Sequence, residues 1–279
     1  MPSGRFFHGW RIVAGAFGVL FIGFGTAYSF AAFFQSLRDE FDATRGDVSL
    51  VFALTGFLYF TLGAASGPVA DRIGPRRVVL AGVACIAVGV GLASAAQAIW
   101  QVYVTYSIGV GVGVGLVYVP AVGAVQRWFA LRRGMASGLA VAGVGAGTLV
   151  LPLAAAASIE LWEWRASYVV LAALVVVIGV PAALLIEHSP ERRGLHPDGA
   201  RTATGTSSAS GLSLRAAVRS RPFWLLYAAS FATSAGIFIP FAHLSAYAQD
   251  EGFSEGFGAL LIGLIGVGST LGRLGMGGT

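Results

Sequence analysis

Eight long apolar runs, separated by short polar ones, constrain this chain more than any other feature of its sequence. They fall at about residues 12–34, 48–70, 78–96, 102–126, 135–157, 166–186, 223–248 and 257–278. The first covers 23 residues, roughly 35 Å at ~1.5 Å per helical residue against a hydrocarbon core of ~30 Å. The apolar stretch of a secretory leader is only about 7–15 residues, so the first run reads as a spanning helix. Backbone in lipid must satisfy its own hydrogen bonds, and barrel strands would be shorter and would alternate. Each run is therefore expected to be a helix. Pro120, Pro152, Pro181 and Pro240 fall inside the runs and mark expected kinks.

Composition and charge follow the same logic. Charged residues make up only 11% of the 279, against about 25% in soluble domains. The 40 glycines suit helices that associate by close backbone approach, since lipid supplies no hydrophobic drive between them. The net charge of +5 is carried by arginine alone, in clusters between the runs. That pattern sets topology and speaks against a nucleic-acid partner. Two arginines precede the first run, three lie in the second loop, three in the fourth and six in the sixth, which puts 14 of 18 on one side. Only Arg38, Arg45 and Arg165 lie in the opposite loops, which carry acids and aromatics instead. By the positive-inside rule the amino terminus is expected to be cytoplasmic, in the inner membrane of a cell, with the lipid bilayer as first partner. Cys85 is alone inside an apolar run, so neither a disulfide nor a thiolate metal site is expected. No cofactor is implied.

The one long polar stretch, 188–221, divides the chain into a six-helix bundle at 1–187, a linker whose middle is rich in Ser, Thr, Ala and Gly, and two further helices at 222–279. Arg215 to Arg221 reads as a short basic segment at the membrane surface, with Pro222 opening the seventh helix. A repeat begins there. The spacing of Trp10 and Phe17 recurs at Trp224 and Phe231. A shift of 210 residues lays Leu54, Gly56 and Gly67 over Leu264, Gly266 and Gly277. Two halves of six helices are expected, with four helices of the second half lying beyond Thr279.

Between the second and third runs stands Gly67, then Asp71, Arg72, Gly74, Arg76 and Arg77, the pattern GxxxDRxGxRR. Gly67 permits helix packing, Gly74 and Pro75 turn the chain, and Asp71 at a helix end can meet a basic group or a helix N-terminus. These residues resemble the signature of the major facilitator superfamily. In the fourth loop, Arg127, Trp128 and Phe129 are followed by Arg132, Arg133 and the AxGxAxAG run from Ala136 to Gly143, through Gly138. Gly134, Gly138 and Ala142, four apart, read as a packing face. This segment resembles the monocarboxylate transporter family and its oxalate/formate antiporter relatives, as do His8, Gly9 and Trp10 and the stretch 190–199. The resemblance implies an all-α transmembrane protein with the major facilitator fold: a six-helix amino-terminal bundle plus the first two helices of the carboxy-terminal bundle. It also implies a carrier of small carboxylates that works by alternating access and, with the second half incomplete, does not transport alone.

Among charges inside the runs, only His243 and Arg273 remain. An Arg at mid-bilayer costs at least ~2.5 kcal/mol and needs water or an anion. The 210-residue shift sets Arg273 over Gly63, eight residues before Asp71 and so ~12 Å inside the basic face. The resemblance implies that Arg273 engages the substrate carboxylate; a snorkelling anchor is the other reading. Animal relatives carry an acid four positions before that arginine and a lysine in the first helix, where Ser269 and an uncharged stretch around Tyr28 stand here. His243 is a candidate proton carrier or a near-interface polar residue, and Tyr28 and Tyr118 are candidates for the cavity wall, for the membrane interface or for packing. The implied partner is a small anionic carboxylate, with a coupled proton and exchange both open. A non-transporting sensor or assembly protein is the competing class. No Ser/His/Asp set, carboxylate pair or HExxH falls in the runs to support an enzyme.

Overall fold

A computed structural model describes residues 7–199, 216 and 218–277, with backbone alone for parts of the last two helices. Among these residues the chain is helical throughout, with no strand. Helix α1 is Gly9–Glu40, α2 Arg45–Ile73 and α3 Pro75–Ala93. Helix α4, Ile99–Trp128, contains one π-helical turn at Tyr103–Ser107. The next helical stretch, Arg133–Leu184, is broken at Glu163 (φ 64°, ψ 165°) into α5 at 133–162 and α6 at 164–184. Helices α7, Arg221–Asp250, and α8, Glu255–Gly277, complete the set. The stretches α1, α2, α3, α4 and α5–α6 are long and apolar enough to cross a membrane. Each helix starts within three residues of its apolar run, while α1 runs on to Glu40. Polar residues at its end prolong the hydrogen-bond ladder beyond the lipid. The expected kink prolines all lie within helices, joined by Pro68 in α2.

Helix α1 sits at the centre, with Ile12, Ala16, Val19, Leu20, Ile22 and Phe33 fully enclosed. Its approach to α5 depends on small residues: a Cβ on Gly143 or Gly147 would strike the carbonyls of Phe17 and Phe21. The expected packing face of Gly134, Gly138 and Ala142 holds at Ala142, which is buried, and is corrected at the two glycines. The enclosed stripe of α5 is Ala136, Ala140, Gly143 and Gly147, while Gly134 is exposed and Gly138 half-buried. Steps of 4, 3 and 4 residues follow a 3.6-residue turn, whereas repeated steps of four rotate off the contact. In α4 the run from Gly109 to Gly115 serves two neighbours. Gly109 and Gly113 lie against the α3 backbone at Gly89 and Gly82, and Gly111 and Gly115 against α2 at Thr55 and Tyr59.

The internal repeat is visible in the backbone. Helices α1 and α7 end at Glu40 and Asp250, and α2 and α8 begin at Arg45 and Glu255, each pair 210 residues apart. The connecting turns match as well: Asp42 and Gly252 both take positive φ, at 46° and 86°. Thr44 accepts a hydrogen bond from Asp47 N (3.2 Å), and Ser254 accepts one from Phe257 N (3.3 Å), so the hydroxyl before each second helix caps the N–H three residues on.

Candidate functional site

A cavity of about 460 Å³ opens between α1, α2 and α4. Tyr28 and Tyr118, the two tyrosines singled out from the sequence, both line it, together with Phe24, Tyr59, Phe60 and Gly63. Helical spacing brings these rings together. Phe24 lies one turn from Tyr28 on α1, at a ring distance of 6.2 Å, and meets Tyr59 at 6.0 Å and Tyr118 at 5.6 Å in edge-to-face contacts. Tyr59 lies midway along the 29-residue α2, so the cavity is at mid-membrane depth. Its wall on this side offers aromatic faces and hydroxyls but no charge, so any counter-charge for an anion has to come from elsewhere. Sequence reading missed Phe24, Tyr59 and Phe60; the available signal was their i, i+4 and matching-depth placement relative to Tyr28.

Gly63 links this cavity to the repeat, because its counterpart 210 residues on is Arg273. Arg273 lies on α8, and its side chain falls outside the described residues. His243 is exposed on α7 and is not among the residues lining the cavity.

On the face that carries the amino terminus, Arg127 at the end of α4 forms an ion pair with Asp71 at the end of α2. Gly74 (φ 93°) makes the turn that follows, donating its N–H to Ala70 O at 2.9 Å, and Pro75 opens α3. Only glycine takes this φ without strain. Gly67 lies at 3.3 Å from Val119 as judged by an added Cβ, so it sets the α2–α4 distance. Arg76 donates to Ile186 O (3.0 Å) and reaches Glu187 (3.5 Å), while Arg72 and Arg77 are exposed, with no ion pair among the described residues. Glu187 is also gripped by Arg193 through two bonds of 2.6 Å and approached by His8 at 3.6 Å. The Arg193 guanidinium holds its carboxyl below the usual range, helped by His8 and Arg76.

The aromatic pair of the fourth loop forms the hub of this face. Trp128 is fully buried and donates its indole N–H to Glu187 O (3.4 Å), while Phe129 meets Phe7 and Trp10 at 5.4 and 5.1 Å. Arg133 folds back onto Phe129 O (3.1 Å), and Arg132 is exposed. Asp198, in the turn Pro197–Gly199, accepts from Ala130 N and Leu131 N, both at 2.7 Å. The start of the linker thus clasps the loop between α4 and α5. Residues 200–215 and 217 of the linker, which include the segment rich in Ser, Thr, Ala and Gly and Arg215, lie outside the described residues. On the opposite face Arg165 binds Glu40 (2.7 Å) and the carbonyls of Ser94 and Ala96, and Arg45 makes a two-pronged bond to Asp250 at 2.7 and 2.8 Å. That second bridge joins the two repeats. Among the described residues no cluster of His, Cys, Asp or Glu could hold a metal ion.

A sequence model of the Major Facilitator Superfamily matches residues 15–279. Monocarboxylate transporter 11 of Mus musculus is 28% identical over 96% of this chain, and Monocarboxylate transporter 13 of Rattus norvegicus is 29% identical over 96%. The chain covers 58% and 60% of these two proteins. The MFS-type transporter pytF of Aspergillus terreus is 26% identical over 98% of this chain and 89% of its own length. The crystal structure of a D-xylose-proton symporter superposes with a TM-score of 0.61 at 14% identity, over 94% of this chain and 66% of that one. At that identity the likeness concerns the fold.

Proposed function

Because the chain belongs to the Major Facilitator Superfamily, we propose that it serves as the first eight helices of a secondary transporter for small carboxylates of the monocarboxylate or oxalate/formate type. The observation that carries this reading is the coincidence of Gly63 with the mid-depth cavity, since the repeat gives Arg273 the same depth on α8. Tyr28 and Tyr118 line one wall without charge; Arg273 supplies the charge from the other bundle, where a guanidinium donates two parallel hydrogen bonds to a carboxylate. The names of the two monocarboxylate transporters support the substrate class. Alternating access follows from rocking a 1–187 bundle against a second bundle beginning at 222, joined by the linker 188–221. In this motion the Asp71–Arg127 pair, with Gly67, Arg72, Gly74, Arg76 and Arg77, forms part of the gate on the basic face. The 14 arginines on that face support a cytoplasmic amino terminus in the inner membrane. His243 is a secondary candidate for carrying the coupled proton.

The chain spans 58% and 60% of the two monocarboxylate transporters it matches, so the 279 residues by themselves are expected to give no saturable uptake. The test is uptake of labelled lactate, formate and oxalate into proteoliposomes carrying the full reading frame that contains this sequence, beside the Arg273→Ala variant. Saturable uptake of one of these anions, abolished in the variant at equal protein content, is expected. Undiminished uptake by the variant would overturn the role of Arg273.

A further inference from the structure

The basic face carries a second recess, of about 670 Å³, between the start of α3 and the segment that follows α6. We propose that it binds the phosphate of an anionic phospholipid through Arg72 and Arg77. Four arginines line the recess, Arg72, Arg76, Arg77 and Arg193, against one carboxylate, Glu187. Glu187 is already saturated by Arg193 and Arg76, and Asp71, the acid next to Arg72, is taken by Arg127. Arg72 and Arg77 are left exposed without an acidic partner among the described residues. Two unspent guanidinium groups at one recess match a phosphate, whose oxygens accept from each fork.

The stripe below the recess favours a lipid over a free phosphate. Arg77 heads a line of exposed residues on α3, Ala81, Ala84, Val88 and Leu92, at helical spacing, with Val88 and Leu92 more than half exposed. An acyl chain can follow this stripe while its headgroup reaches the arginines, as basic pockets at the ends of spanning helices hold anionic lipid. The site needs no transport and no particular sidedness, so its test is independent of the carboxylate reading.

Native mass spectrometry of the purified chain in detergent, titrated with phosphatidylglycerol, phosphatidylcholine and inorganic phosphate, tests it. Wild-type protein is expected to hold one phosphatidylglycerol on the order of tenfold more tightly than phosphatidylcholine, and Arg72→Gln/Arg77→Gln to erase that preference. Arg132→Gln/Arg219→Gln, which removes the same charge from the same face outside the recess, is expected to keep it. Three results overturn the proposal: equal binding of the two lipids by wild type, equal loss in the control variant, or displacement of phosphatidylglycerol by an equal concentration of inorganic phosphate. The first and third need no variant, so a folding defect in the double mutant leaves the test intact.

Discussion

Helices α2 and α8 each start after a capping hydroxyl, 210 residues apart, yet they bury different faces. In α8, Gly263 and Gly266 press on α5, where a Cβ on Gly266 would lie 2.6 Å from Gly145 O and 2.9 Å from Leu149 N. In α2 the corresponding Ala53 is exposed and Gly56 has only Tyr59 of its own helix near it, at 3.9 Å. Helix α2 instead buries Val51, Thr55 and Tyr59, with Gly111 and Gly115 of α4 close to the last two. One sequence pattern therefore produces two packing arrangements, decided by which neighbour comes close. The chain has the fold of its superfamily, a six-helix bundle followed by the first two helices of a second.

This asymmetry can be broken most strongly at its glycines. Gly266→Val drives a branched side chain into the α5 backbone and is expected to cost about 1–3 kcal/mol, read as a lower denaturation midpoint in detergent. Gly56→Val on the matching position of α2 should stay within about 0.5 kcal/mol; equal losses would mean that the two faces are packed alike. A smaller effect separates the caps. Thr44 and Asp47 satisfy each other's backbone N–H groups in a capping box, with Thr44 N donating to Asp47 at 3.0 Å. Ser254 has Phe257 at the matching position and makes only the one-way bond. Thr44→Ala is expected to cost about 1 kcal/mol and Ser254→Ala less, toward ~0.5 kcal/mol, with stability of each variant measured in the same detergent. Reversal of that order would remove the capping box as the distinction.

Much of this was legible beforehand because lipid leaves few options. Apolar length and arginine clustering point to helix number and to which loops share a side, and Tyr28 and Tyr118, candidates for a cavity wall among other roles, line the cavity. What resisted sequence reading depends on single residues or on distant contacts. The reversal between α5 and α6 turns on the backbone of Glu163 alone, and the π-helical turn at Tyr103–Ser107 changes hydrogen-bond register without changing composition. Asp198 meets Ala130 and Leu131 across 68 and 67 residues, a pairing that no local pattern encodes. The packing stripe of α5 was misjudged for a geometric reason, since the motif's small residues outnumber those that touch α1.

The central claim is that the cavity bounded by Tyr28, Tyr118 and Gly63 is the carboxylate path. Its most direct test replaces Gly63, where an added side chain meets nothing within 4 Å, by Cys in a Cys85→Ala background of the full reading frame. Labelling by a membrane-impermeant maleimide is then timed with and without the transported carboxylate. At about five times its half-saturating concentration the anion leaves roughly a sixth of sites free, so labelling should slow about sixfold, and Arg273→Ala should abolish this protection. Labelling that proceeds at the same rate with the anion present, while uptake is normal, would contradict the account.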